Sequence, residues 1–151
     1  MVQIRNAHED DSNIIINFQM TMALETENLN LEIEQVREGV LNVLRDSQKG
    51  NYFVAQVEDK VVGSLLVTRE WSDWRNQWIL WMQSVYVLPE YRGKGIFKQL
   101  YEHIKTWVMV DNEVAGLRLY VDKLNKTAIE VYTKLNMDGN HYKVFEWMKT
   151  K

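Results

Sequence analysis

Trp81-Met-Gln-Ser-Val-Tyr-Val-Leu-Pro89-Glu-Tyr-Arg-Gly-Lys-Gly-Ile-Phe97-Lys-Gln-Leu100 decides how this chain is read. Val85, Tyr86 and Val87 are β-branched and aromatic residues that lead to the single proline, Pro89. A glycine-rich turn then passes into helical periodicity at Ile96, Leu100, Ile104 and Trp107. The pattern predicts a strand, a tight loop and a helix. Such a junction gathers free backbone N–H groups at the positive end of a helix, which is chemistry for an anion and commonly for a phosphate. Gly93 and Gly95 let the main chain approach that anion closely. Lys94 is followed by Gly95 rather than Ser or Thr, so the loop is no P-loop, and it lies too far along the chain for a Rossmann fingerprint. By itself it also fits an ordinary turn before an amphipathic helix.

Arg92-Gly-Lys-Gly-Ile-Phe97 resembles the Arg/Gln-x-x-Gly-x-Gly/Ala pyrophosphate loop of the GNAT superfamily, whose members transfer acyl groups from acyl-CoA to amines. The resemblance extends over most of the chain. Val62 and Gly63 precede the loop as a strand signal, and Asn-x-x-Ala-x-x-x-Tyr, Asn125 to Tyr132, follows it in the order of the superfamily. The strand-to-loop segment is similar to that of diamine acetyltransferases. One departure is Phe97, where the family has a small residue; it either points into the core or narrows the loop.

The chain has 151 residues, 46% of them hydrophobic, enough for one domain with a real core. A formal charge of −3 argues against a nucleic-acid partner. Without cysteine there is no disulfide scaffold, thiolate metal site or cysteine nucleophile. His8, His103 and His141 share no ligand spacing, so no metal is expected. No apolar run has transmembrane length and the N-terminus lacks a signal-peptide core, so the expectation is a cytoplasmic protein without a membrane partner.

In chain order, Val2–Arg5 reads as a strand, after which Asp10, Asp11 and Ser12 offer cap chemistry for a helix through about Leu24. A polar break, Glu25 to Asn30, leads to a second helix over about Glu32–Ser47. Strands follow at Tyr52–Val57, Val61–Trp71 and Trp78–Val87, joined by hairpins at Glu58-Asp59-Lys60 and Ser72–Gln77. Then come a helix from Gly93 to about Val110, a strand at Gly116–Val121, a helix at Lys126–Leu135 and a strand at Tyr142–Met148. This order predicts an α/β (α+β) fold: a mixed, largely antiparallel sheet flanked by helices, with strands 78–87 and 116–121 as parallel neighbours across a helical crossover. The resemblance implies that these two strands splay and that the pantetheine arm of acyl-CoA enters the gap, bonding main-chain groups at Val85, Tyr86 and Val87 as an added strand would.

The resemblance also assigns site residues. Arg92, Gly93, Lys94, Gly95, Ile96, Phe97 and Lys98 would hold the pyrophosphate of acetyl-CoA. Asn125 would cap its helix or bond the pantetheine, and Thr127 with Glu130 forms a capping box competing for the first task. Tyr132 would protonate the departing thiolate, its reference pKa of about 10 keeping it a donor at neutral pH. The spacing of Ile129, Val131, Tyr132 and Leu135 equally suits a core position. Gln83 stands where some members carry a glutamate base; an amide cannot take that proton, so Gln83 is left to hold a water, and the proton's exits are Glu25, Glu27 or an ordered water chain. After Tyr132 the family often shows Gly-Phe, and here Asn136 and Met137 stand instead.

On the acceptor side, Glu25 and Glu27 suit a cationic amine, though two loop carboxylates are also ordinary solvated charge. Trp71, Trp74, Trp78 and Trp81 lie on one hairpin, where cross-strand packing or a dimeric sheet face would explain them. Trp81, on the pleat face of Gln83, alternatively offers an indole to an alkylammonium. The reading is an acyl-CoA-dependent N-acyltransferase that moves acetyl from acetyl-CoA to a primary amine of a small molecule or peptide. The other reading is a GNAT-like domain that binds acyl-CoA as a sensor without turnover. A homodimer is open.

Overall fold

The β-branched and aromatic runs pair into one five-stranded sheet in the computed structural model, which describes residues 1–150. Its strands are β1 (Val2–Asn6), β2 (Asn51–Val57), β3 (Lys60–Ser72), β4 (Gln77–Val87) and β5 (Val114–Arg118), adjacent in that order. The first four are antiparallel and β5 runs parallel to β4. Each hairpin turn carries one residue at positive φ: Glu58 (54°) between β2 and β3, and between β3 and β4 Asn76 (54°), a residue type that accepts that region readily. The helices are α1 (Ser12–Glu27), α2 (Ile33–Arg45), α3 (Ile96–Val110) and α4 (Lys126–Lys134).

Alternation along β2 sends its side chains to two different layers. Tyr52 and Val54 pack with Ile15 and Ile16 of α1, Val40 of α2 and Leu66 of β3. Phe53, between them, meets the rings of His103 and Trp107 on α3 at 5.4 and 6.0 Å. So α1 and α2 cover one face and α3 the other, and the middle strands are buried on both sides, as Val62–Val67 shows.

Packing divides the chain into two compact units, Met1–Arg118 and Leu119–Lys151. The first holds the sheet and α1 to α3, the second α4. The crossover expected between strands 78–87 and 116–121 is the β4–α3–β5 unit, although β5 starts earlier, at Val114, and ends at Arg118.

Three local expectations need correction. The polar stretch from Glu25 does not break α1, which continues to Glu27; glutamates are good helix formers, and the stop comes from Asn28 in the left-handed region (φ 53°). There the N–H of Leu29 bonds the carbonyl of Ala23, six residues back, closing the helix. Second, α3 begins at Ile96 because Gly93 and Gly95 have φ of 74° and 81°, which are not helical. Third, Tyr142–Met148 forms no strand. A strand needs a partner edge, and among the described residues the second unit contains no other strand.

Candidate active site

At the end of β4 the chain makes a single 3-10 turn, Pro89–Tyr91, before the glycines. Gly95 caps α3 without any side-chain bond. The first N–H to bond back along α3 is that of Gln99, to the Gly95 carbonyl at 3.1 Å. The N–H groups of Ile96, Phe97 and Lys98 lie ahead of it, in the turn whose donors have no intrahelical acceptor. A Cβ on Gly93 or Gly95 would meet no atom within 4 Å. What glycine supplies here is therefore the positive φ and open room beside the donors. Phe97 is half-buried with its ring 6.3 Å from that of Tyr101, so it lies along α3. Lys94 sits over the Tyr91 ring at 5.4 Å, and Lys98 is exposed.

Beside the loop runs an edge of β4. Parallel pairing with β5 covers only Trp78 to Trp81, whose partner Arg118 is the last residue of β5. Between the pairs Leu66–Gln83 and Ser64–Tyr86, β3 advances two residues and β4 three. The extra residue is a bulge at Ser84, φ 54°. It changes the parity of the strand: Gln83 and Tyr86, three apart, come to the same face. Leu88 donates to Val62 of β3 at 2.8 Å, so alternation turns the main-chain groups of Val85 and Val87 toward the other edge. The Val87 carbonyl there accepts Arg92 Nε at 2.8 Å.

Arg92 also reaches α1. Its Nη2 lies 3.0 Å from Glu25 Oε1, and the guanidinium stands 5.3 Å from the centre of the Tyr86 ring. Tyr86 donates its hydroxyl to Glu25 Oε2 at 3.1 Å and packs on Phe18 at 5.0 Å. Burial and the Glu25 carboxylate push the Tyr86 phenol up from its ordinary pKa. Glu25 thus has both oxygens engaged. Glu27, two positions on along a helix, points to a different side and is not brought to this group.

A polar strip continues along the same sheet face, where Leu66 joins the α1 and α2 core and Thr68 and Glu70 follow at every second residue. Gln83 donates from Nε2 to Thr68 Oγ1 at 2.8 Å. Trp81 Nε1 and Arg118 Nη1 both donate to Glu70 Oε1, at 2.8 and 2.9 Å. The Trp81 bond, and Arg118 with it, hold Glu70 below the usual carboxylate range. Trp81 and Gln83 share one face, as the pleat requires. The other tryptophans pack instead: Trp71 and Trp78 are cross-strand partners in an edge-on contact at 4.9 Å, Arg69 covers Trp78 at 4.7 Å, and Trp74 is exposed in the turn.

In the second unit Asn125 is the cap of α4, its Oδ1 accepting the N–H of Ala128 at 3.1 Å. The Thr127–Glu130 box is therefore not what starts the helix. Tyr132 lies in the second turn of α4, and burial raises its pKa. Asn136, at φ 66°, supplies the left-handed residue after α4 in place of a glycine. Sequence reasoning missed Thr68, Ser84, Glu70 and Arg118. Only the strand register brings Thr68 and Glu70 beside Gln83 and Trp81, and alternation of polar residues at 68 and 70 was the one available signal. Among the described residues no group of three His, Cys, Asp or Glu side chains is placed to hold a metal, and no helix is long and apolar enough to cross a membrane.

Comparison with known proteins bears on this geometry. A crystal structure described as a possible acetyltransferase from Clostridium difficile 630 superposes with a TM-score of 0.91 at 44% identity, covering 98% of this chain and 97% of that one. A transcriptional regulator from Bacillus halodurans C-125 shares the fold, with a TM-score of 0.83 at 20% identity over 98% of this chain and 100% of its own. Thialysine N-epsilon-acetyltransferase from Bos taurus is 36% identical over 75 residues, 50% of this chain and 43% of that relative. The chain thus matches less than half the length of that relative. The model of the acetyltransferase (GNAT) family matches residues 18–137, which include the later part of α1, the sheet from β2 to β5, the glycine loop and α4. The chain belongs to the GNAT acetyltransferase family.

Proposed function

We propose that this protein transfers the acetyl group of acetyl-CoA to a primary amine of a small molecule or peptide. The observation that carries the reading is the open first turn of α3, with its glycine room, next to the edge of β4 that β5 leaves unpaired. The donor set fits a pyrophosphate: three backbone N–H groups at a helix N-terminus, with Lys94 and Lys98 nearby. Residues Val85, Tyr86 and Val87 would hold the pantetheine arm along that edge. Acetyl-CoA, when bound, supplies the activated thioester carbonyl.

The rest falls to side chains of this chain. Gln83, with its amide N–H given to Thr68, keeps its carbonyl oxygen as an acceptor for a water that carries away the amine proton. Tyr132 donates a proton to the leaving sulfur; a pKa raised by burial keeps it protonated at neutral pH. Trp81 and Glu25 are the acceptor-side groups, a ring face and a carboxylate suited to an alkylammonium, and Glu27, on another side of α1, is left out. The bovine relative is named for acetylating an N-epsilon amine, which agrees with a primary amine here.

The experiment is an acceptor panel with acetyl-CoA, read by release of free thiol. Amine-dependent release is expected with primary amines and not with tertiary ones. Tight CoA binding with no release for any amine would support the sensor reading instead.

A further inference from the structure

We propose that Glu25 and Arg92 form an exchangeable ion pair through which acyl-CoA binding uncovers the acceptor-side carboxylate. The inference rests on the glycine loop being the CoA cradle. Arg92 is the first residue of that loop, yet it is turned back onto the protein, to the Val87 carbonyl through Nε and to Glu25 through Nη2. The α1 carboxylate that faces the acceptor side in the proposed function is thereby neutralised by the loop's own arginine. Both side chains remain accessible, Arg92 at 47% and Glu25 at 37%, so the pair is a surface one and is weak enough to be exchanged.

A pyrophosphate settling on the N–H groups after Gly93 competes for the same guanidinium, and a multiply charged anion is the stronger partner. When Arg92 turns to it, Glu25 keeps only the hydroxyl of Tyr86, which is itself fixed by burial against Phe18. The freed negative charge then faces a cationic amine. Acyl-CoA and the amine therefore each favour the other's binding, because the same exchange links both sites.

The test is calorimetric titration of the full chain with CoA, and separately with inorganic pyrophosphate. Removing the competitor should help: Glu25→Gln is expected to tighten both ligands roughly two- to fivefold, the scale of an exposed ion pair. Glu25→Ala gives the same sign without an amide that can still bond Arg92. In an Arg92→Gln background the Glu25 substitution should lose its effect, since the two act through one contact. A positioning role without exchange predicts the opposite, weaker binding in the Glu25 variants. If wild type binds CoA and neither Glu25 variant binds it more tightly, the exchange is overturned and the cradle stands. If wild type does not bind CoA, both fall.

Discussion

Gln83 Nε2 donates to Thr68 Oγ1 across the β3–β4 ladder at 2.8 Å, which fixes the amide and leaves its carbonyl oxygen as an acceptor. Under the proposed mechanism that oxygen holds the water taking the amine proton. Gln83→Ala should lower turnover about tenfold, the modest end of proton-transfer contributions, with the KM for acetyl-CoA unchanged. Gln83→Glu keeps an acceptor in place and should retain turnover at neutral pH. Steady-state kinetics on both variants check this, and a Gln83→Ala enzyme with normal turnover would remove the water from the mechanism.

Gly95 is at φ 81°, and a Cβ placed there would have nothing within 4 Å, so substitution acts through the backbone and not through a clash. A β-branched residue resists that conformation more than alanine does. Gly95→Val should weaken CoA binding strongly, by about tenfold or more, and Gly95→Ala less, because the left-handed region costs about 1–2 kcal/mol for an L-residue. Titration calorimetry on folded variants decides, and equal affinity in all three proteins would exclude the backbone cradle.

Tyr132→Phe keeps the ring and deletes the proton. The expected result is a turnover loss of about 10- to 100-fold with CoA affinity kept; the thiolate is a moderate leaving group, so the loss lies at the low end for a general acid. A tyrosine with only a packing role would keep turnover, because phenylalanine preserves the packing, and a structural hydroxyl would lower melting temperature and activity together. Kinetics and a melting curve on one preparation separate the two, and normal turnover sinks the acid role.

Asp11 tests stability. Its carboxylate accepts Arg5 Nη1 at 2.8 Å, Arg5 Nη2 at 3.0 Å and the His8 N–H at 2.7 Å, tying β1 to the start of α1. Burial alone would raise its pKa, but these bonds outweigh it and the value is lowered. A depressed carboxylate stabilises the fold above its ordinary, unfolded pKa and loses that contribution as pH falls through its folded one. Asp11→Asn should therefore cost about 1–3 kcal/mol near neutral pH. The gap from wild type should close as acid is added through and below the ordinary carboxylate range. Urea titrations at several pH values measure it, and a gap independent of pH would refute the assignment.

Much of this architecture was legible in the order of residues alone. β-branched alternation located four strands of the sheet, glycine spacing located the loop, and the 3.6-residue period located α3 and α4, because these signals are local consequences of side-chain shape and backbone freedom. Asn125 as a cap followed from its chemistry in the same way. The final stretch shows the limit: residues Tyr142–Met148 have strand composition, but pairing requires an edge, which composition cannot supply.

The sequence by itself determined the order of elements as far as α4, the place of the glycine loop and the kinship of the chain. Tertiary structure alone decided which side chains meet. Nothing about Ser84 marks it as a bulge, yet that one residue brings Tyr86 to the face of Gln83 and so within reach of Glu25. Glu25 and Arg92 lie 67 positions apart, and Glu70 and Arg118 lie 48 apart. Contacts at such separations depend on register and on where a helix stops. These are settled by the packing of the whole sheet and its helices rather than by neighbours in the chain.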